Sequence, residues 1–152
     1  HIPYIHKELN SQINLKTYKI INGKNFVLQT VEAKRIKNSF YKMQTNNKQY
    51  AYYYFIFPNT MLNFYPWGLS VNTVIPIDVD KTRIIYRGFV SNPELLGKGA
   101  GGDLDKVELE DQEIVESVQK GLASSAYQRG RYSPKMETGV HHFHRMLMHY
   151  GD

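Results

Sequence analysis

The sequence contains no cysteine. Disulfides are therefore excluded, and so is any iron–sulfur cluster held by this chain, because such clusters are ligated at least in part by cysteine thiolates. Long apolar runs are missing too: nothing approaches the ~20 residues a helix needs to span a bilayer, and no basic-then-apolar stretch of the signal-peptide type occurs. Clustered positive charge is scarce. The formal charge is +5, from 19 Lys and Arg against 14 Asp and Glu, yet only Lys34, Arg35 and Lys37 lie close together and no nucleic-acid-binding motif surrounds them. Neither nucleic acid nor a membrane is expected as a partner. The glycine run Gly97-Lys-Gly-Ala-Gly-Gly102 lacks the Gly-Lys-Ser/Thr of a phosphate loop and reads as a connection or a flap.

What is present suits one globular domain: 152 residues, 41% hydrophobic and 22% charged, enough for a core of its own. Most of the chain reads as an antiparallel meander. Thr17 to Ile21 and Phe26 to Val31 flank Asn22-Gly23, a hairpin signal because both residues tolerate positive φ. A third strand is expected from Ala33 to Tyr41, followed by a polar turn at Thr45 to Lys48. Further strands follow at Tyr50 to Phe57, Met61 to Tyr65, Leu69 to Ile75 and Thr82 to Val90, all rich in aromatic and β-branched residues.

Two helices follow the strands. The first, from about Asp103 to Leu122 with Asp103 or Asp105 as its cap, carries an anomaly. At about 100° per residue, Val107, Ile114, Val115, Val118 and Leu122 form an apolar stripe with Asp111 in its middle. Glu110, Glu113 and Glu116 fall off the stripe, with Glu108 on its margin, and read as solvated charge. A carboxylate on a buried face must be paired, hydrogen-bonded or bound to a metal, so Asp111 is expected to meet either a Lys or Arg or a metal ion. The last helix runs from about Glu137 to Tyr150, with Val140, Phe143, His144 and Leu147 on one face. There His144 reads as a hydrogen-bonded core histidine, and His141, His142 and His149 read as surface groups.

A possible partner for Asp111 stands at the other end of the chain, in His1-Ile-Pro-Tyr-Ile-His6. On a straight helix an i, i+5 pair diverges by about 140°, but Pro3 disfavours helix at Ile2 and frees the next turn to bring His6 back. Two histidines and one carboxylate are the donor set of a facial triad that holds Fe(II) with open positions. Solvent-exposed terminal histidines are the alternative.

These residues carry a resemblance. The His-x4-His segment, Phe57-Pro-Asn-Thr-Met-Leu-Asn63, the hairpin Gly68 to Pro76, Glu110-Asp111 with Glu116 to Gly121, and Tyr132-Ser-Pro-Lys-Met-Glu-Thr-Gly-Val-His-His-Phe-His144 occur in the order seen in one family. Together they resemble the catalytic domain of Rieske non-haem iron oxygenase large subunits, nearest to the choline and glycine-betaine monooxygenase-like and phenylpropionate dioxygenase-like branches. The resemblance implies an α+β fold, an antiparallel sheet wrapped on a long C-terminal helix, of the helix-grip, START-like kind. It makes His1, His6 and Asp111 the iron ligands. It further implies an oxygenase that uses dioxygen to hydroxylate or demethylate a small aromatic or quaternary-ammonium substrate.

With no cysteine here, the [2Fe–2S] Rieske cluster is expected in a missing part or a neighbouring subunit. Residues 1–152 are then one mononuclear-iron catalytic domain, the C-terminal part of a larger subunit. A reductase or ferredoxin, a homotrimeric assembly and a cytoplasmic location complete the expectation. For the substrate pocket the candidates are Asn63, Phe55, Phe57 and Tyr65. Asn63 is the sharpest of these, as an amide among apolar strand residues. Aromatic faces from Tyr52, Tyr54, Phe64, Tyr65 and Trp67 are candidates for a cage around a quaternary ammonium. A rival from another class is a non-enzymatic helix-grip domain that only binds a small molecule.

Overall fold

The computed structural model describes residues 2–34, 48–96 and 104–151. Two short helices open it, α1 (Ile2–Ile5) and α2 (Lys7–Gln12). Six strands follow: β1 (Ile13–Asn22), β2 (Phe26–Ala33), β3 (Gln49–Ile56), β4 (Thr60–Tyr65), β5 (Gly68–Asp78) and β6 (Lys81–Val90). Beyond a 3-10 turn at Pro93–Leu95 come α3 (Leu104–Leu122) and α4 (Thr138–Tyr150). The strands form one antiparallel sheet in the order β1 to β6, each beside its sequence neighbours. The expected meander and terminal helix are therefore present, and the fold is α+β. Of the third strand and polar turn expected between 33 and 48, all but Ala33, Lys34 and Lys48 lie outside the described residues; Ala33 closes β2. No described helix is long and apolar enough to cross a membrane.

Register assigns each side chain to a face, because successive residues of a strand point opposite ways. Val27, Phe55, Met61, Asn72 and Tyr86 make one row across β2 to β6, and Gln29, Tyr53, Asn63, Ser70 and Gly88 make the next row on the same inner face. Here the helices dock. On α4, Phe143 meets the ring of Phe55 edge-on at 5.0 Å, and Met146 is buried. The helix can come close because residue 139 is glycine: a Cβ there would stand 2.9 Å from Val27 Cγ1. At the other end of the inner face, Leu9 of α2 packs with Tyr65 and Trp67, which stack at 4.9 Å.

Several local expectations shift. The buried face of α4 is rotated from the one expected, through Gly139, His142, Phe143 and Met146, because Val140 and Leu147 stand in solvent. His142, expected on the surface, is half-buried and hydrogen-bonds the Gly23 carbonyl at 2.7 Å. His144, expected in the core, is exposed, and its Nδ1 hydrogen-bonds the Tyr132 hydroxyl. Gly23 does not adopt a positive φ, and a Cβ there would press on the Phe26 ring, which would have to move aside.

The aromatic set proposed for a cage is split by the pleat. Tyr52, Tyr54 and Phe64 lie on the outer face, where Tyr54 packs against Phe26 and Phe64. Tyr65, on the inner face, stacks with Trp67, so the five rings do not surround one point.

Candidate metal centre

His6 is placed by the break between the first two helices. Pro3 sits in the first turn of α1, where its missing N–H costs nothing, so Ile2 is helical against expectation. The break comes at His6 itself, with φ −99° and ψ 65°. Its backbone remains tied on both sides: the His6 N–H donates to the Ile2 carbonyl at 3.0 Å, and the Asn10 N–H donates to the His6 carbonyl at 2.8 Å. The imidazole is only 3% exposed. A buried ring with two polar nitrogens requires partners, and α3 supplies them.

Nδ1 lies 2.9 Å from Glu110 Oε2, and Nε2 lies 3.0 Å from Asp111 Oδ1. The pairing of His6 with Asp111 expected from the chain ends is thus present. Its physical origin differs from the helical-stripe argument. Val115 is 65% exposed, and Ile114, Val118 and Leu122 are exposed as well, while the Asp111 side chain is itself 47% exposed. The contact that ties Asp111 to the rest of the fold is the one it makes with the buried His6 imidazole.

The 3.0 Å separation of His6 Nε2 and Asp111 Oδ1 is that of a direct N–H···O contact, and what fits a metal ion here is the chemistry of the donor set. Imidazole and carboxylate are the donor types that suit non-haem iron. His1, the expected third ligand, lies outside the described residues, and among the described residues no group of three His, Asp or Glu is poised around one point.

Glu110 is the residue that sequence reasoning missed. Its helical angle marked it as solvated, but that argument assumed that the apolar stripe of α3 faces the core. The signal that was available is its position beside Asp111: with one more methylene, a neighbouring glutamate reaches the far nitrogen of the same ring.

The pocket candidates separate by role. Asn63 is half-buried between Tyr53 and Ser70 in the inner-face row. In the same row, Ser70 Oγ donates to Asn72 Oδ1 of its own strand at 2.8 Å, with both residues buried. Phe55 and Phe57 pack against Phe143, and Phe57 also stacks on Tyr150 at 5.0 Å. Tyr65 belongs to the cluster with Leu9 and Trp67. Across β1 and β2, Tyr18 donates its hydroxyl hydrogen to Gln29 Oε1, and burial pushes the Tyr18 phenol up to about 12.

An antiparallel sheet with helices packed on one face defines an α+β domain, in which the buried His6 meets Glu110 and Asp111. The chain belongs to the family of the ring hydroxylating alpha subunit (catalytic domain), whose model matches residues 1–151. It is 34% identical over 98% of its length to the chloroplastic choline monooxygenase of Arabidopsis thaliana, and covers 36% of that protein. To the carnitine monooxygenase oxygenase subunit of Escherichia coli K12 it is 30% identical over 97% of its length, covering 42% of that protein. A solved quaternary ammonium Rieske monooxygenase, described for carnitine oxidation and inter-subunit electron transfer, superposes over 100% of this chain and 44% of its own. That match has a TM-score of 0.77 at 23% identity and supports the fold. The chain thus spans well under half the length of these relatives.

Proposed function

We propose that this chain is the mononuclear-iron catalytic domain of a monooxygenase acting on a small quaternary-ammonium compound. The observation that carries the reading is the 3.0 Å approach of Asp111 Oδ1 to Nε2 of the buried His6, in a family member 34% and 30% identical to proteins named choline and carnitine monooxygenase. His6 and Asp111, with His1, are the proposed ligands of Fe(II). Bound iron would supply dioxygen activation and C–H hydroxylation, with electrons arriving from a Rieske [2Fe–2S] cluster elsewhere in the subunit or in a neighbour. A reductase or ferredoxin partner, a homo-oligomer and a cytoplasmic or organellar location belong to the same proposal.

This chain's residues hold and shield. The tied backbone of His6 anchors the residue that carries the imidazole, and the inner face of the sheet offers Asn63 as the polar group to orient the substrate. Phe55 and Tyr65 keep the flanks of that row apolar and exclude water.

The test uses the full-length protein with a reductase. Expected is oxidation of a trimethylammonium substrate, slower or absent with its neutral tert-butyl isostere, together with loss of mononuclear iron and of turnover in Asp111→Ala. An Asp111→Ala protein that keeps its iron would remove Asp111 from the site. Ligand binding without any turnover would favour a simple carrier.

A further inference from the structure

We propose that Glu110 is a positioning residue for His6, a reading that rests on the metal centre proposed above. Three facts point to it. The His6 ring is 3% exposed, so its two nitrogens must be satisfied by protein groups. Those nitrogens face consecutive residues of one helix, Nδ1 to Glu110 Oε2 at 2.9 Å and Nε2 to Asp111 Oδ1 at 3.0 Å. The His6 backbone is pinned by hydrogen bonds to Ile2 and Asn10, leaving ring rotation as the freedom that Glu110 removes.

Successive residues on a helix point about 100° apart, and two neighbours rarely serve one group. Here the difference in side-chain length makes it possible: the short Asp111 stops at the near nitrogen, and the longer Glu110 reaches round to the far one. The consequence is chemical. Glu110 can only accept, so it takes a hydrogen bond from Nδ1–H; with a metal ion in place this leaves the Nε2 lone pair for the ion that Asp111 also faces, whereas without the ion the 3.0 Å contact to Asp111 requires Nε2–H. A carboxylate behind a ligating histidine fixes ring orientation and raises its basicity, and losing such a partner typically costs ten- to a hundredfold in metal affinity. Glu110 is one-third exposed, so its carboxylate is reachable by water, and the hydrogen bond rather than bare charge is the feature assigned to it.

Two measurements on the whole chain test this. The first is anaerobic Fe(II) titration by calorimetry. The second is the ¹⁵N chemical shifts of His6 in metal-free protein labelled at histidine, which report whether Nδ1 carries a hydrogen-bonded proton. Glu110→Ala is expected to weaken Fe(II) binding roughly ten- to a hundredfold and to redistribute the ring proton away from Nδ1. Glu110→Gln still presents an acceptor oxygen and is expected to restore most of both. If Glu110→Ala leaves the affinity and the His6 shifts as in the wild type, or if Gln behaves no better than Ala in both, the assignment is overturned. Asp111→Ala serves as the separate control: unchanged Fe(II) binding there defeats the metal reading, while the metal-free ¹⁵N spectra still decide whether Glu110 holds the ring.

Discussion

Phe143 on α4 stands edge-on to Phe55 on β3, ring centres 5.0 Å apart and planes at 84°. Aromatic pairs favour this geometry, and such a pair adds about 0.5–1.5 kcal/mol to what burial of the rings contributes. With Gly139 against Val27 and Met146 buried, it ties the C-terminal helix to the inner face of the sheet. Phe143→Ala is expected to lower stability by about 2–4 kcal/mol, read as a fall in the urea midpoint, while Leu147→Ala on the exposed side of the same helix changes it little.

The buried Ser70 and Asn72 pair makes a different demand. Removing the Ser70 hydroxyl deletes one buried hydrogen bond, whose net worth is about 0.5–1.5 kcal/mol. Ser70→Ala should therefore destabilise the protein by that amount in a denaturant titration. No measurable loss would show that the Ser70 to Asn72 hydrogen bond contributes nothing net to stability.

Tyr18 predicts an alkaline limit. Burial raises its phenol to about 12 from an ordinary 10, and the neutral form donates to Gln29. A raised folded-state value means that the native state holds the proton longer than the unfolded chain. The stabilisation is therefore complete below pH 10 and is lost as pH rises through about 12. Thermal melts between pH 9 and 12 should show this decline, and Tyr18→Phe should flatten it.

The inner-face row predicts a division in kinetics. If Asn63 orients the substrate, Asn63→Leu in the full-length protein should lower kcat/KM by roughly two- to tenfold, the worth of one hydrogen bond. Tyr54→Leu, on the outer face, should leave it unchanged. Equal effects from both variants would show that the pleat does not separate pocket from support.

Much of this protein is legible in its sequence. Strand composition and turn residues determine the meander, because β-branched and aromatic runs broken by Asn-Gly, Pro-Asn and Asp-containing turns pair with their neighbours locally. The residue types at His6 and Asp111 likewise determine which atoms can meet there, an imidazole nitrogen and a carboxylate oxygen. Tertiary structure alone decided the rest. The pleat, with its period of two, divided the aromatics that look contiguous in Tyr50 to Phe57. The exposed stripe of α3 shows that apolar periodicity names a face without naming what covers it. Glu110 reads as one more solvated acid until the chain brings α3 back to a buried imidazole 104 residues earlier. A hydrogen bond over that distance depends on where the whole sheet places its two ends, which no local pattern encodes.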